Sequence, residues 1–414
     1  MKIFFLSTDY PYPGFSGACV VNWSIVNYLI RQGHEVTLFV DPPRFGINEI
    51  DKIKQDKMSE ITNSLNCKVV NLKGIKKVIT KKNLIWRIFS NSFEDYFPSC
   101  HVKGEIEEII RKKINELKPD LLLCYGSPTI HWVRNINIKK AGYIHSMSLI
   151  TYSNFMVQYR LSKCSLNTLK HFLFFLKAKL FDKKLINEAN KIHKRFHHSK
   201  DIMELSLRKG LKDCISLYPP YFDNFNSKKR NIFKKQKREY FKIIIVGLMS
   251  AVNRSLYDTL QHHVFPYLEK NLDMKKIQFH MIGTDHDDMP EYFQNKNYIS
   301  AKGFVEDFDL EIQDCDLFYC VTPYPLGLRS RLLDALNFGT AIITSEYDKK
   351  SLPFLEHNFN SYIAQKETDI GKLIIKIIND KNIEKIKYNA RKTYEKFLSF
   401  ENAGKKYEEE ILND

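Results

Sequence analysis

The chain has 414 residues, 43% of them hydrophobic and 27% charged, the balance of a globular protein too long for one ordinary core. No apolar stretch is long enough to span a bilayer, and neither zinc-finger spacing nor an aromatic RNA-binding stretch accompanies the basic residues. The net charge of +16 therefore points away from nucleic acid, and towards an anionic membrane face, a polyanionic substrate or a solvated basic surface.

At the N-terminus, Lys2 and a short apolar run raise the question of a signal peptide. Ser7, Thr8 and Asp9, then Pro11 and Pro13, break the run too early, so a first strand over residues 2–6 is predicted. The segment Pro11-Tyr12-Pro13-Gly14-Phe15-Ser16-Gly17 follows it. Its glycines would let backbone approach a ligand at a helix start, or would simply turn the chain; it is not GxGxxG. Val21, Ile25 and Leu29 give residues 18–32 helical spacing, and 35–40 reads as a strand. Helical spacing returns over 105–117, followed by strand-like runs at 121–124 and 141–145, with weaker ones at 196–199 and 215–218. Strands without alternation, separated by helices, argue for a parallel sheet covered on both faces. The eight cysteines form no CxxC pair, as expected of thiols in a reducing cytosol.

His145 closes one of these strands. A histidine at a strand's carboxyl end faces the ligand edge of such a sheet, and its pKa suits proton exchange with a hydroxyl. A buried structural histidine is the competing reading. His131 is a weaker candidate, and His197 and His198 read as structural. Leu166, Leu169, Leu173, Leu176 and Leu180 repeat at helical spacing, broadened by Phe172, Phe174, Phe175 and Phe181 and flanked by Lys170, Lys177, Lys179, Lys183 and Lys184. Such a helix lies in a membrane interface or packs in a core with its lysines in water; both readings stay open.

After Pro219-Pro220 and a lysine-rich stretch over 223–237, the strand–helix pattern restarts. Strands are predicted at 241–246, 277–282, 298–302, 316–321, 341–344 and 362–364, with a helix at 255–269 and a charged helical tail at 382–412. Two doubly wound domains follow, 1–222 and 223–390, with a C-terminal helix of about 391–414 that is a candidate to return to the first. Asp285-His286-Asp287-Asp288 has the look of a metal cluster but sits in a polar stretch before Pro290, and a solvated loop is the better reading. The segment Gly327-Leu328-Arg329-Ser330-Arg331-Leu332-Leu333-Asp334 reads as a glycine turn opening a helix, ended by Gly339. Its unpaired N–H groups and positive dipole end suit a diphosphate, and the acid one turn in can accept from a ribose. Gly247 to Arg254 opens the second domain in a similar way.

In this order and spacing the segments resemble the GT-B glycosyltransferases, group 1 or family 4-like clan. The likeness rests on Gly33-His34-Glu35-Val36, on Val246-Gly247 through Asn253, on Val264-Phe265-Pro266-Tyr267-Leu268 and on Gly303-Phe304-Val305-Glu306-Asp307. Asp314-Cys315-Asp316 and the run from Gly327 to Gly339 complete it, the last resembling a subgroup pattern G-x-R-x-K-x-L-E-A-x-x-x-G. The resemblance implies an α/β fold of two Rossmann-like domains facing across a cleft. It places Asp334 on the nucleotide ribose, Gly327, Leu328, Arg329, Arg331 and Arg254 on the diphosphate, and Phe304, Val305 and Glu306 beside the base. Gly247 and Asn253 join these as donor-binding candidates. His145 falls near the transferred sugar, as the catalytic candidate, with Ser16 and Gly17 in the loop over it. The implied activity is metal-independent, retaining transfer of a hexose-type unit from a UDP- or GDP-sugar, without cofactor, to a glycan, lipid-linked or surface-polysaccharide hydroxyl. Its place would be cytoplasmic, peripheral on the inner face of an anionic membrane, with no nucleic-acid partner. Three positions depart from the clan: Leu326 stands where an acid is common, Asp334 is shorter than the usual glutamate, and Ser16 replaces a glycine. Leu326 keeps open the alternative of a non-catalytic GT-B scaffold or partner subunit that has lost donor binding.

Overall fold

Continuous apolar runs with no polar alternation form strands that are covered on both faces. The computed structural model describes residues 1–12, 17–40, 67–72, 103–144, 165–223, 238–247, 256–305, 307–325 and 327–412, with 65, 152, 155, 156 and 159. It divides into one unit of Met1–Tyr152, Leu169–Phe222 and Phe400–Asp414, and a second of Ser153–Thr168 and Asp223–Ser399.

In the first unit the strands are β1 (Lys2–Ser7), β2 (Glu35–Val40), β3 (Lys68–Asn71), β4 (Leu121–Tyr125), β5 (Lys140–Tyr143), β6 (Lys194–His197) and β7 (Cys214–Ser216). They lie in the order β3-β2-β1-β4-β5-β6-β7, every pair parallel. β3 has no counterpart in the sequence reading, because four residues, two of them polar, are too few to register as a run. Helices α1 (Gly17–Arg31), α2 (Lys103–Leu117), α3 (Ser127–Trp132), α4 (Leu166–Ala189, of which Leu169 onwards belongs to this unit) and α5 (Lys200–Arg208) alternate with the strands. Phe4, Leu6, Leu122, Cys124, Ile130 and Ile186 belong to the core they enclose.

The second unit has β8 (Phe241–Val246), β9 (Ile277–Ile282), β10 (Ile299–Gly303), β11 (Leu317–Tyr319), β12 (Ile342–Ser345) and β13 (Tyr362–Ala364). Their order is β10-β9-β8-β11-β12-β13, again parallel throughout. The helix expected over 255–269 is interrupted: a π-helical turn, Leu260–Val264, precedes α6 (Phe265–Asn271). Pro266 has no N–H to give to the preceding turn, which accounts for the widened segment. The remaining helices are α7 (Glu291–Gln294), α8 (Phe308–Asp314), α9 (Ser330–Asn337), α10 (Glu346–Ser351), α11 (Ile370–Ile378) and α12 (Ile383–Phe397).

α9 and α12 approach closely at Gly339, whose φ is 62°. A Cβ there would come within 2.9 Å of Arg391 Cβ and 3.1 Å of the Lys387 carbonyl, so only glycine fits. Arg391 then closes the end of α9, donating to the Asn337 carbonyl at 2.5 Å and to its side-chain oxygen at 2.9 Å, while also gripping Asp223 at 2.6 Å. Beyond α12, a π turn at Phe400–Gly404 leads into α13 (Lys405–Ile411), which belongs to the first unit. Buried Tyr407 packs edge-on against Phe196 at 5.6 Å, and the Tyr28 hydroxyl donates to Glu408 at 3.0 Å. No helix among the described residues is long and apolar enough to cross a membrane.

His198 follows β6 inside an aromatic stack. Its Nδ1–H donates to the Leu217 carbonyl at 2.7 Å, its Nε2 accepts from the Tyr125 hydroxyl, and the Tyr143 ring lies 4.4 Å away. Both ring nitrogens are thus committed to the neutral form, and burial pushes the pKa down to about 4. His280 on β9 is likewise pushed down to about 4, by burial and then by Lys242 and Lys302.

Two outcomes are expected. Arg391→Ala should cost about 2 kcal/mol of stability, read from the urea midpoint, because it leaves a helix end and a carboxylate without their donor. Between pH of about 6.5 and about 4 the unfolded chain holds protons that His198 and His280 do not, so stability must fall as pH falls through that window. Each should contribute a loss of about 2 kcal/mol between pH of roughly 7 and 5. An H198Q/H280Q double variant should show a visibly flatter pH dependence of the urea midpoint; an unchanged slope would remove the assignment.

Candidate functional site

In the second sheet the strand order reverses between β8 and β11, and the carboxyl edge at such a reversal is where open α/β sheets take ligands. Two glycines shape this edge. β8 ends at Val246 and passes into Gly247 with φ 142°, and the connection from β11 reaches Gly327 with φ 74° before α9 begins. Both angles lie where side chains are rarely tolerated.

α9 buries Leu332, Leu333, Ala335 and Leu336 completely. That anchoring leaves Arg331 and Asp334, one turn apart, half-buried on its other side. The Arg331 guanidinium donates to the Val246 carbonyl, joining α9 to the end of β8. Burial, and then the neighbouring charge of Arg329, push Arg331 down to about 10, while Asp334 and Tyr257 act in the opposite sense. Two guanidinium groups held together in a partly desolvated edge form a place where an anion relieves repulsion and gains charge-assisted hydrogen bonds. Arg329 itself occupies the N-cap position of α9 in extended conformation, beside the first N–H groups of the helix.

The loops on the other flank are tied together. Thr284 donates to the Gly247 carbonyl at 2.8 Å and stands 3.1 Å from the Tyr257 hydroxyl, which donates to it. The Gly283 N–H donates to the Gly303 carbonyl at 2.6 Å. Gly303 turns with φ 53°, a left-handed conformation that favours glycine. Phe304, 49% exposed, follows at the end of β10, and Val305 is partly exposed beside it.

A feature absent from the sequence reading ties the β11 side. Asp348, 2% exposed, accepts from Thr322 at 3.0 Å, from Thr344 at 2.9 Å and from Ser345 at 2.6 Å. It thereby holds the loop leading from β11 towards Gly327 against the end of β12. The Ser345–Asp348 spacing was legible as a capping box; the reach to Thr322 was not. A cavity of about 690 Å³ lies at the carboxyl ends of β11, β12 and β13, lined by Asp258, His262, Thr322, Glu346, Gln365 and Lys366 among others. Its lining includes none of the predicted site residues.

Gly247, Phe304, Val305, Gly327, Leu328 and Arg329 therefore lie on loops at the carboxyl edge of the second sheet, and Arg331 and Asp334 on α9, which starts from that edge. Gly17 is the first residue of α1, after β1, at the carboxyl edge of the first sheet. Ser16, His145, Asn253, Arg254 and Glu306 lie outside the described residues, as does Leu326. His131 is on α3, 3.0 Å from Glu188, a carboxylate it shares with Arg134 at 3.0 Å. Near Gly17, Asn22 donates to Ser7 Oγ at 2.7 Å and to the Asp9 carbonyl at 3.0 Å, and burial raises the Asp9 carboxyl above its ordinary pKa. Asp9 is a second residue the sequence reading passed over. Residues His286–Asp288 form a short exposed turn, and among the described residues no group of three or more His, Cys, Asp or Glu is arranged to hold a metal.

Residues 240–380 match the family model described as glycosyl transferases group 1. No curated protein sequence matches the chain. Among solved structures it is similar to HepE of Anabaena in complex with UDP and glucose, at 14% identity and TM-score 0.67 with both chains covered 100%. It is similar to a TarM variant of S. aureus in complex with Fondaparinux, alpha-GlcNAc-glycerol and UDP, at 13% identity and TM-score 0.70, again over 100% of each chain. Sucrose-phosphate synthase of Thermosynechococcus elongatus follows at 11% identity and TM-score 0.66, with 100% of both chains covered. At these identities the likeness carries the fold alone, and that fold is GT-B. With a group 1 glycosyl transferase domain over residues 240–380 of this architecture, the protein is a glycosyltransferase.

Proposed function

We propose that the enzyme transfers a hexose-type unit from a nucleotide diphosphate sugar to a hydroxyl of a glycan or lipid-linked acceptor, with retention of anomeric configuration and without a metal. One observation carries the donor half: Arg331, joined to the end of β8 and crowded by Arg329, stands at the strand-order reversal beside Gly327. Departure of the nucleotide leaves charge on a diphosphate while the sugar becomes cation-like. Guanidinium groups and helix N–H groups already in place stabilise that charge without reorganising during the reaction. Asp334, one turn along α9, accepts from the ribose hydroxyls, and the exposed Phe304 ring and Val305 border the base.

UDP is the preferred nucleotide in this reading, supported by the UDP present in the structures of HepE and TarM. His145 is the group near the transferred sugar, with Ser16 and Gly17 over it; these roles, like those of Asn253, Arg254 and Glu306, come from the resemblance. The acceptor assignment draws on the net charge of +16, which suits a polyanionic or lipid-linked glycan at the inner face of a membrane.

Titration with UDP, GDP and uridine tests the donor site. UDP should bind, and Arg331→Ala should weaken it about 30-fold while leaving uridine within a factor of about two. Equal losses for both ligands would remove the diphosphate assignment. His145→Ala should lower kcat about 100-fold with donor affinity near the parent value. Undiminished turnover would return His145 to a structural role.

A further inference from the structure

α4 is apolar on two opposite sides. Ala178, Phe181, Leu185, Ile186 and Ala189 are buried, at 6% exposure or less. At roughly 100° per residue, a second apolar set falls on the reverse of the helix. It consists of Leu166 at 87% exposure, Leu169 at 53%, Phe172 at 37%, Leu176 at 41% and Leu180 at 66%. Their spacing of three and four residues makes one stripe, and it faces solvent. A core helix with its lysines in water would show no such stripe, and the exposed leucines favour the interface reading.

Lysines border it. Lys170 lies on one side and Lys179 on the other, and Lys183 and Lys184 stand at its C-terminal end. The Lys179 ammonium lies 4.7 Å from the Phe175 ring and that of Lys184 5.7 Å from Phe181, so both charges stand against aromatic rings of the helix beside the stripe. The acids of this helix are engaged within the fold: Asp182 receives Lys209 at 2.7 Å, and Glu188 receives His131 and Arg134 at 3.0 Å. A large exposed apolar stripe marks a contact surface, and the charge bordering it selects the contact. A second copy of the chain would bring lysines against lysines. An anionic bilayer accepts both the apolar side chains and the ring of positive charge.

We propose that α4 docks the protein onto an anionic membrane surface, its stripe from Leu166 to Leu180 entering the headgroup–acyl boundary. This deepens the membrane-face placement of the acceptor proposed above and is independent of the donor chemistry.

The test sediments the full chain with vesicles of phosphatidylcholine alone and of phosphatidylcholine with an equal part of phosphatidylglycerol. The parent should bind the anionic vesicles, lose binding as salt rises, and bind the neutral ones weakly. L176E/L180E should partition at least about ten-fold less, and each of Lys179→Gln and Lys183→Gln about five-fold less. UDP affinity, measured without vesicles, should stay at the parent value in every variant. A parent that stays in the supernatant with anionic vesicles, or a glutamate pair that binds as well as the parent, overturns the proposal. So does a concentration-dependent dimer that the glutamate pair abolishes. Failure of the parent to bind UDP would count against the donor reading and leave this one standing.

Discussion

The bond from Arg331 to the Val246 carbonyl is the constraint on which the candidate site depends. It crosses the point where the second sheet reverses its strand order and fastens a helix from one half of the sheet to a strand of the other. A cation at that position must be partly desolvated, since α9 is held down by Leu332, Leu333, Ala335 and Leu336. Desolvation and Arg329 together lower its pKa, against the opposing pull of Cys320, Tyr257 and Asp334. The same burial makes the charge effective, because a desolvated guanidinium interacts with a phosphate far more strongly than a solvated one does.

Several ties surround that bond. Gly339 and Arg391 fix the far end of α9 against α12. Asp348 fixes the loop from β11, and Thr284 with Tyr257 fixes the loop from β8. Each tie uses a buried polar group with its partners satisfied, so each would be costly to break and is sharply directional. These ties hold the backbone on both sides of the proposed donor edge.

The first unit shows a different balance. Its sheet is the same kind of parallel array, yet the polar groups at its carboxyl edge, Tyr125, Tyr143 and His198, are stacked and bonded to one another. The group of Ser7, Asp9 and Asn22 sits at the end of its central strand. On the outside, α4 carries the exposed stripe. The proposed donor edge and the proposed docking stripe thus lie on different elements, built from different residue types.

Much of the fold was legible in the residues. β2, β8, β9 and β13 span the predicted residues, because continuous apolar runs between helical spacings leave few alternatives. The parallel, doubly wound class followed from the same pattern. β3 and the π turn before α6 were not legible: one is too short to register, and the other depends on how Pro266 meets the preceding turn. At the site, Gly327, Arg329, Arg331 and Asp334 could be singled out because a glycine, two cations and an acid at helical spacing are a local pattern. The Val246 carbonyl, Thr322 and Asp348 could not, since each acts through a partner far along the chain. The sequence by itself determined which segments become strands and helices and where charge stands along them, because these depend on neighbours in the chain. Only the tertiary structure decided which apolar face of α4 meets solvent and where the Arg331 guanidinium is aimed, because burial and direction are set by what packs against a residue from elsewhere.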